Sequence, residues 1–193
     1  MLRVLATLAA LAALALAACG DDDDDGGSEP TTTAAATGSC GPVEEVEIGD
    51  FGHVPDELAA ADYATNPPTW GDHNDEALAA GQFYTQGAPF GHAVHLLEHG
   101  AVIGWTNGLS NEDMTAVEDT FNEAFEEGYY QLAVVENPDL EVPFALSAWG
   151  VLQTCEELDT SVIQPFVEEW YASPKSAESS LACEPPARGL PPC

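Results

Sequence analysis

The run from His95 to His99, "HLLEH", sets two imidazoles and a carboxylate inside an apolar stretch, and all five histidines of the chain fall between positions 53 and 99. A neutral imidazole ligates metal readily, because its nitrogen lone pair needs little deprotonation near neutral pH. On a helix, His95 and His99 lie one turn apart on one face, close enough to share an ion. On a strand they would face the same side about 13 Å apart, too far for that. Gly100 and the β-branched Val102 and Ile103 stop any helix at His99. We therefore read a short helical turn feeding a strand, with both imidazoles at the strand's start. Glu98 then projects away from their face, where it orients a ligand from behind or serves as a base.

His53, His73 and His92 lie in the segment just before. The expected set is His73, His95 and His99 around one divalent ion, with His53 as a further ligand and Glu98 in support. His92 has only proximity to recommend it. Imidazoles suit zinc and Cu(II), while Met114, the one thioether beyond the leader, is too little for a Met-rich Cu(I) carrier. Asn66-Pro67-Pro68 fixes two φ angles and pushes Asn66 out of helical space, a stiff turn able to hold His73 against the 95–99 segment. Two other readings compete. His95, Glu98 and His99 match H-x-x-E-H, the inverted zinc-peptidase motif, in which Glu98 would activate water as the catalytic residue. That motif wants a long continuous helix, which Gly100 denies. Alternatively the histidines are structural and the domain is a non-catalytic cell-surface interaction module. The balance favours a binding protein over an enzyme.

These residues need a frame. "VEEVEI" (43–48) alternates apolar and acidic residues as a half-exposed strand does. Residues 49–92 are rich in Gly, Pro, Asn and Asp, a long irregular segment of the kind that carries function. "AVIGWT" (101–106) reads as a buried strand. Residues 110–128 read as a helix capped by Ser110, with Met114, Val117, Phe121 and Phe125 along one face and Gly128 at its end. Residues 129–136 and 143–155 read as strands. A second helix is expected at about 159–172, capped by Asp159. Its apolar face carries Val162, Ile163, Phe166, Val167 and Trp170. Interleaved but irregular, these elements predict a single small α+β domain: a short mixed sheet, two main helices and a long irregular His-rich loop.

The chain's start points outside the cytoplasm. Arg3 precedes an uncharged Ala/Leu run that ends in Leu16-Ala17-Ala18-Cys19-Gly20, which resembles the lipobox of bacterial lipoproteins. That resemblance implies a signal peptide over 1–18, cleavage before Cys19 and lipid on its thiol, hence a membrane-anchored protein on the extracytoplasmic face. Residues 19–40, with five successive aspartates, are expected to form a disordered acidic tether. Cys40, Cys155, Cys183 and Cys193 remain, an even number suited to disulfides. We expect Cys40–Cys155 and Cys183–Cys193, the latter in a Pro-rich tail over 173–193 that follows a domain at 41–172. No C-x-x-C pair supports a thiolate zinc site or a redox motif. A formal charge of −31 excludes nucleic acid as a general partner. A protein partner is not specified by any motif.

The segments around His53, "NPPTWGDH" (66–73) and "VHLLEHG" (94–100) together resemble the family known as domain of unknown function 3105, as does "AWGVL" (148–152) near a cysteine. The resemblance spans roughly residues 50–171. It departs at Trp70 and Asp72, where that family usually has Ser and Pro, so the turn before His73 is expected to differ. The resemblance implies a shared domain and shared histidines, not a reaction.

Overall fold

The computed structural model describes residues 39–180. The expected signal peptide, Cys19, most of the expected tether and the expected Cys183–Cys193 pair lie outside the described residues. In chain order the elements are β1 (Glu44–Glu45), β2 (Gln82–Tyr84), α1 (Phe90–Glu98), β3 (Val102–Thr106) and α2 (Asn111–Glu127). They continue with β4 (Leu132–Glu136), β5 (Phe144–Ala148), β6 (Val151–Cys155) and α3 (Ile163–Trp170). The strands form one six-stranded sheet in the order β1-β6-β5-β3-β4-β2. β3 and β2 flank β4 in parallel, whereas β5 pairs antiparallel with β3 on one side and forms a hairpin with β6 on the other. This is the expected α+β domain with a mixed sheet.

Alternation along the central strands divides the core into two layers. Val102, Leu132, Val134, Phe144 and Leu146 face one way, under α2 and α3. Ile103, Trp105, Ala133, Val135 and Ala145 face the other, under α1 and the long loop. Both main helices begin and end where their local chemistry dictates. The Ser110 hydroxyl accepts from the Asp113 amide, Val117, Phe121 and Ala124 are buried, and α2 closes at Gly128 with φ +110°. Asp159 caps a 3-10 turn over Thr160–Val162 that leads into α3, where Ile163, Phe166 and Val167 are buried. Gly104 makes the contact between sheet and helix possible: a Cβ there would lie 2.7 Å from the Phe121 ring. The Cys40–Cys155 disulfide ties the start of the domain to the end of β6.

Three stretches differ from the sequence reading. Of residues 43–48, only Glu44 and Glu45 pair with β6, because Ile48 and the following Phe51 leave the edge to pack in the second apolar layer. The strand expected from 129 starts at Leu132, since the amides of Tyr130 and Gln131 donate to the Tyr171 hydroxyl. The folded chain also runs past 172. The Ala172 amide donates to the Gly100 carbonyl, the Glu178 amide to the Glu98 carbonyl, and the Ser176 hydroxyl to the carbonyls of Leu97 and Glu98. The last carbonyls of a helix need donors from outside it, and residues 172–178 supply them to α1. Residues 173–178, read as the start of the tail, thus lie against the end of α1.

Candidate metal centre

His53 and His73 come together through the backbone. The His73 amide donates to the Gly52 carbonyl and the Val54 amide to the His73 carbonyl, an isolated parallel bridge that sets the two side chains on one side. Their rings are 4.6 Å apart. The Pro-Pro turn ahead of His73 is clamped as well as stiff. The Asn66 side chain donates to the Asp139 carbonyl and accepts from Asn137, and the Thr69 carbonyl accepts from the Gly150 amide. Asp72 braces the same turn: its carboxylate accepts from the Gly52 amide and its carbonyl from the Tyr63 hydroxyl. Behind His73 stand Phe51 and Trp149, each with its ring centre 6.2 Å away.

His95 comes from α1, which ends where predicted. The Gly100 amide returns to the Leu97 carbonyl and the Ala101 amide to the Leu96 carbonyl, the paired closing bonds that need a left-handed residue; Gly100 has φ +87°. The His95 ring is 5.0 Å from both His53 and His73. A carbonyl oxygen can only accept, so Nδ1 of His73 donates to Gly71 (2.9 Å) and Nδ1 of His95 donates to Asn74 (2.7 Å). In the neutral rings both lone pairs are thereby placed on Nε2. Tethering one ring nitrogen to fix the tautomer of the other is how ligating histidines are oriented. Burial holds the His95 imidazole below its ordinary pKa, the Asn74 carbonyl works in the opposite direction, and His99, His73 and His53 add to the lowering. The neutral, ligating form is favoured.

Glu98 supplies the decisive detail. Its Oε2 lies 3.0 Å from His73 Nε2, with the two side chains 8% and 1% exposed. Yet neither atom has a hydrogen-bond partner among the described residues, so the close pair lacks hydrogen-bond alignment. A ring nitrogen and a carboxylate oxygen thus sit side by side, buried, without aiming at each other. Two ligands of one ion behave in this way, because each points at the common centre and not along the line between them. One ligand atom from each of His53, His73, His95 and Glu98 can be chosen so that all lie within 4.8 Å of one another. Tetrahedral zinc ligands at 2.0–2.1 Å would stand about 3.3 Å apart, inside the 4.8 Å limit that this group meets.

The grouping differs from the expected one. Glu98 stands in the cluster and not behind it, because a residue three positions on is rotated only about 60° from His95 around the helix. His99 falls on the other flank of His95. Its ring centre is 4.5 Å from that of His95, but its Nε2 is 3.2 Å from Glu178 Oε2. Glu98, His99 and Glu178 form a second group within the same 4.8 Å limit. In H-x-x-E-H chemistry the glutamate stands free as a base, whereas here Glu98 faces His73. His92 lines a separate hollow with Asp56, Glu57, Asp75 and Glu76.

The model of a family of proteins of unknown function, DUF3105, matches residues 53–185. The chain belongs to that family. No curated protein and no solved structure matches it. The DUF3105 match begins at His53 and takes in Glu178, so every residue of both groups lies within it. Three contributors escaped the sequence reading. Asn74 holds His95 by its carbonyl and secures the Val54 and Asp56 carbonyls by its amide. Gly91 leaves room for it, since a Cβ there would lie 2.1 Å from Asn74 Oδ1. Glu178 sits in what was read as tail. An Asn near a histidine and an isolated helical Gly are visible signals in the sequence, but only the fold shows that they meet.

Proposed function

We propose that this protein is a lipid-anchored, extracytoplasmic metal-binding protein that holds one divalent transition ion, zinc or Cu(II), through His53, His73, His95 and Glu98. The observation that carries this is the buried, misaligned contact between His73 Nε2 and Glu98 Oε2, flanked by the His53 and His95 rings, with Nδ1 of His73 and of His95 already committed to carbonyls. A 2+ ion supplies the one thing two adjacent acceptors lack, and three neutral imidazoles with one carboxylate suit an ion of intermediate softness. His53 is the exposed member of the set and gives the ion its route in and out. Four protein ligands fill a tetrahedral shell, which fits holding or handing over an ion better than catalysis. The lipobox-like start at Cys19 and the Cys40–Cys155 disulfide support an oxidising compartment outside the cytoplasm.

The test is a thermal shift with Zn(II) or Cu(II) on the wild type and on His73→Ala/His95→Ala, with Ca(II), which prefers oxygen ligands, as the control for the acidic surface. The expected result is a shift by transition ions in the wild type alone. Equal shifts in both proteins, or none in either, would make the histidines structural. For the anchor, Cys19→Ala should leave unprocessed precursor or release the protein to the medium; a normally processed, membrane-bound variant would refute it.

A further inference from the structure

We propose that Glu98 bridges two metal positions, the second completed by His99 and Glu178. This rests on the centre proposed above and extends it. Glu98 belongs to both groups of ligand atoms, and a carboxylate has two oxygens, one for each ion. Bridged ions of this kind stand about 3.5–4 Å apart. His95 and His99, on successive turns of α1 with ring centres 4.5 Å apart, then serve one ion each. The second observation is the way Glu178 is delivered. Its amide is bound to the Glu98 carbonyl, and Ser176 is bound to the last carbonyls of α1. The fold therefore fixes this carboxylate over His99 instead of leaving it on a free chain. Glu98 itself is more than nine-tenths buried, with an oxygen unpartnered among the described residues. The C-terminal end of α1, with its partial negative charge, adds a further preference for cations.

The two positions differ in character. The first is largely buried, whereas His99 and Glu178 are 20% and 50% exposed at their side chains. Three protein ligands at the second position leave coordination open for water or a small oxygen-donor anion. The second ion, repelled by the first and nearer to solvent, is the weaker and more exchangeable one.

The experiment uses the whole chain, stripped with a chelator and dialysed against Zn(II) to read the number of ions bound, then loaded with Cu(II) for electron paramagnetic resonance. The wild type should hold two ions, and at two equivalents of Cu(II) the isolated-ion signal should broaden and lose intensity. His99→Asn, at a partly buried position, and Glu178→Gln, at an exposed one, should each hold one ion and keep the isolated signal. Two ions in the wild type and in both variants would place the extra ion on the acidic surface and overturn the bridge. So would two magnetically isolated Cu(II) ions. A wild type that holds one ion, lost in His73→Ala, overturns the bridge and leaves the first centre standing. A wild type that holds none overturns both.

Discussion

Replacing Glu98 by Gln keeps the side-chain shape and turns one oxygen into an amide nitrogen that can donate. With its ring proton on Nδ1, His73 presents Nε2 as a buried acceptor 3.0 Å from Glu98 Oε2, and both atoms are unpartnered among the described residues. Each such unmet group costs about 1–3 kcal/mol, and the introduced amide, donating to His73, relieves at least one of them. Metal-free Glu98→Gln should therefore be more stable than the wild type by about 1–3 kcal/mol, which raises the Tm of a domain of this size by roughly 3–10 °C. Zinc should reverse the order. The wild type gains about 2.7 kcal/mol at a hundredfold excess over its Kd, while the variant, with an amide in place of the carboxylate, gains far less. Thermal or urea unfolding after chelation, repeated after reloading with Zn(II), reads both signs. If metal-free Glu98→Gln instead loses the roughly 3–5 kcal/mol expected on breaking a buried ion pair, His73 is an imidazolium paired with Glu98, and the metal reading falls.

Because folding lowers the His95 pKa, the unfolded chain takes up that proton first. The metal-free protein should keep this contribution above about pH 6.5 and lose it as pH falls through that value toward the depressed folded one, so urea midpoints should drop between pH 7 and 5; a flat profile would contradict the burial of a neutral imidazole. Gly91→Ala would drive a methyl into Asn74, which tethers His95. Competition with a chromophoric chelator should show zinc affinity reduced on the order of tenfold or more, the usual effect of losing a residue that orients a ligand; unchanged affinity would make that tether dispensable. The Cys40–Cys155 bond spans a separation of 115 residues. Converting both residues to Ala should cost about 4–5 kcal/mol in guanidinium unfolding by chain-entropy reasoning, and an unchanged midpoint would refute that.

The sequence declared the elements whose signals are local. Ser110 and Gly128 bound α2, Gly100 ends α1, and the apolar run over 101–106 marks the buried strand after it. It also marked His53, His73, His95, His99 and Glu98 as the residues to watch. It did not say how they divide. That depends on which flank of α1 receives the His53–His73 bridge, a choice made by sheet packing and by the clamp from Asn137 and Asp139 onto Asn66. The three-residue β2 was illegible for a related reason. "QFY" carries no pattern of its own and becomes a strand by pairing with β4, whose register is set elsewhere. Residues 173–180 read as tail because they offer few apolar side chains. They are held instead by the carbonyls that α1 leaves unmet.

The borders of the sheet have a consequence for behaviour in a crowd. An edge strand's unpaired amides and carbonyls invite another chain to add to it, and length and flatness make the invitation stronger. Here one border is the two residues Glu44 and Glu45 and the other the three residues of β2. Glu45 carries a further guard, since Lys175 Nζ lies 2.6 Å from its carboxylate and sets a fixed charge at that border. A partner strand would find two or three residues to pair with, and at one end would have to bury charge to do so. The four five-residue strands, β3 to β6, lie between these short borders. Edge-to-edge pairing between copies of this domain is therefore disfavoured at both borders.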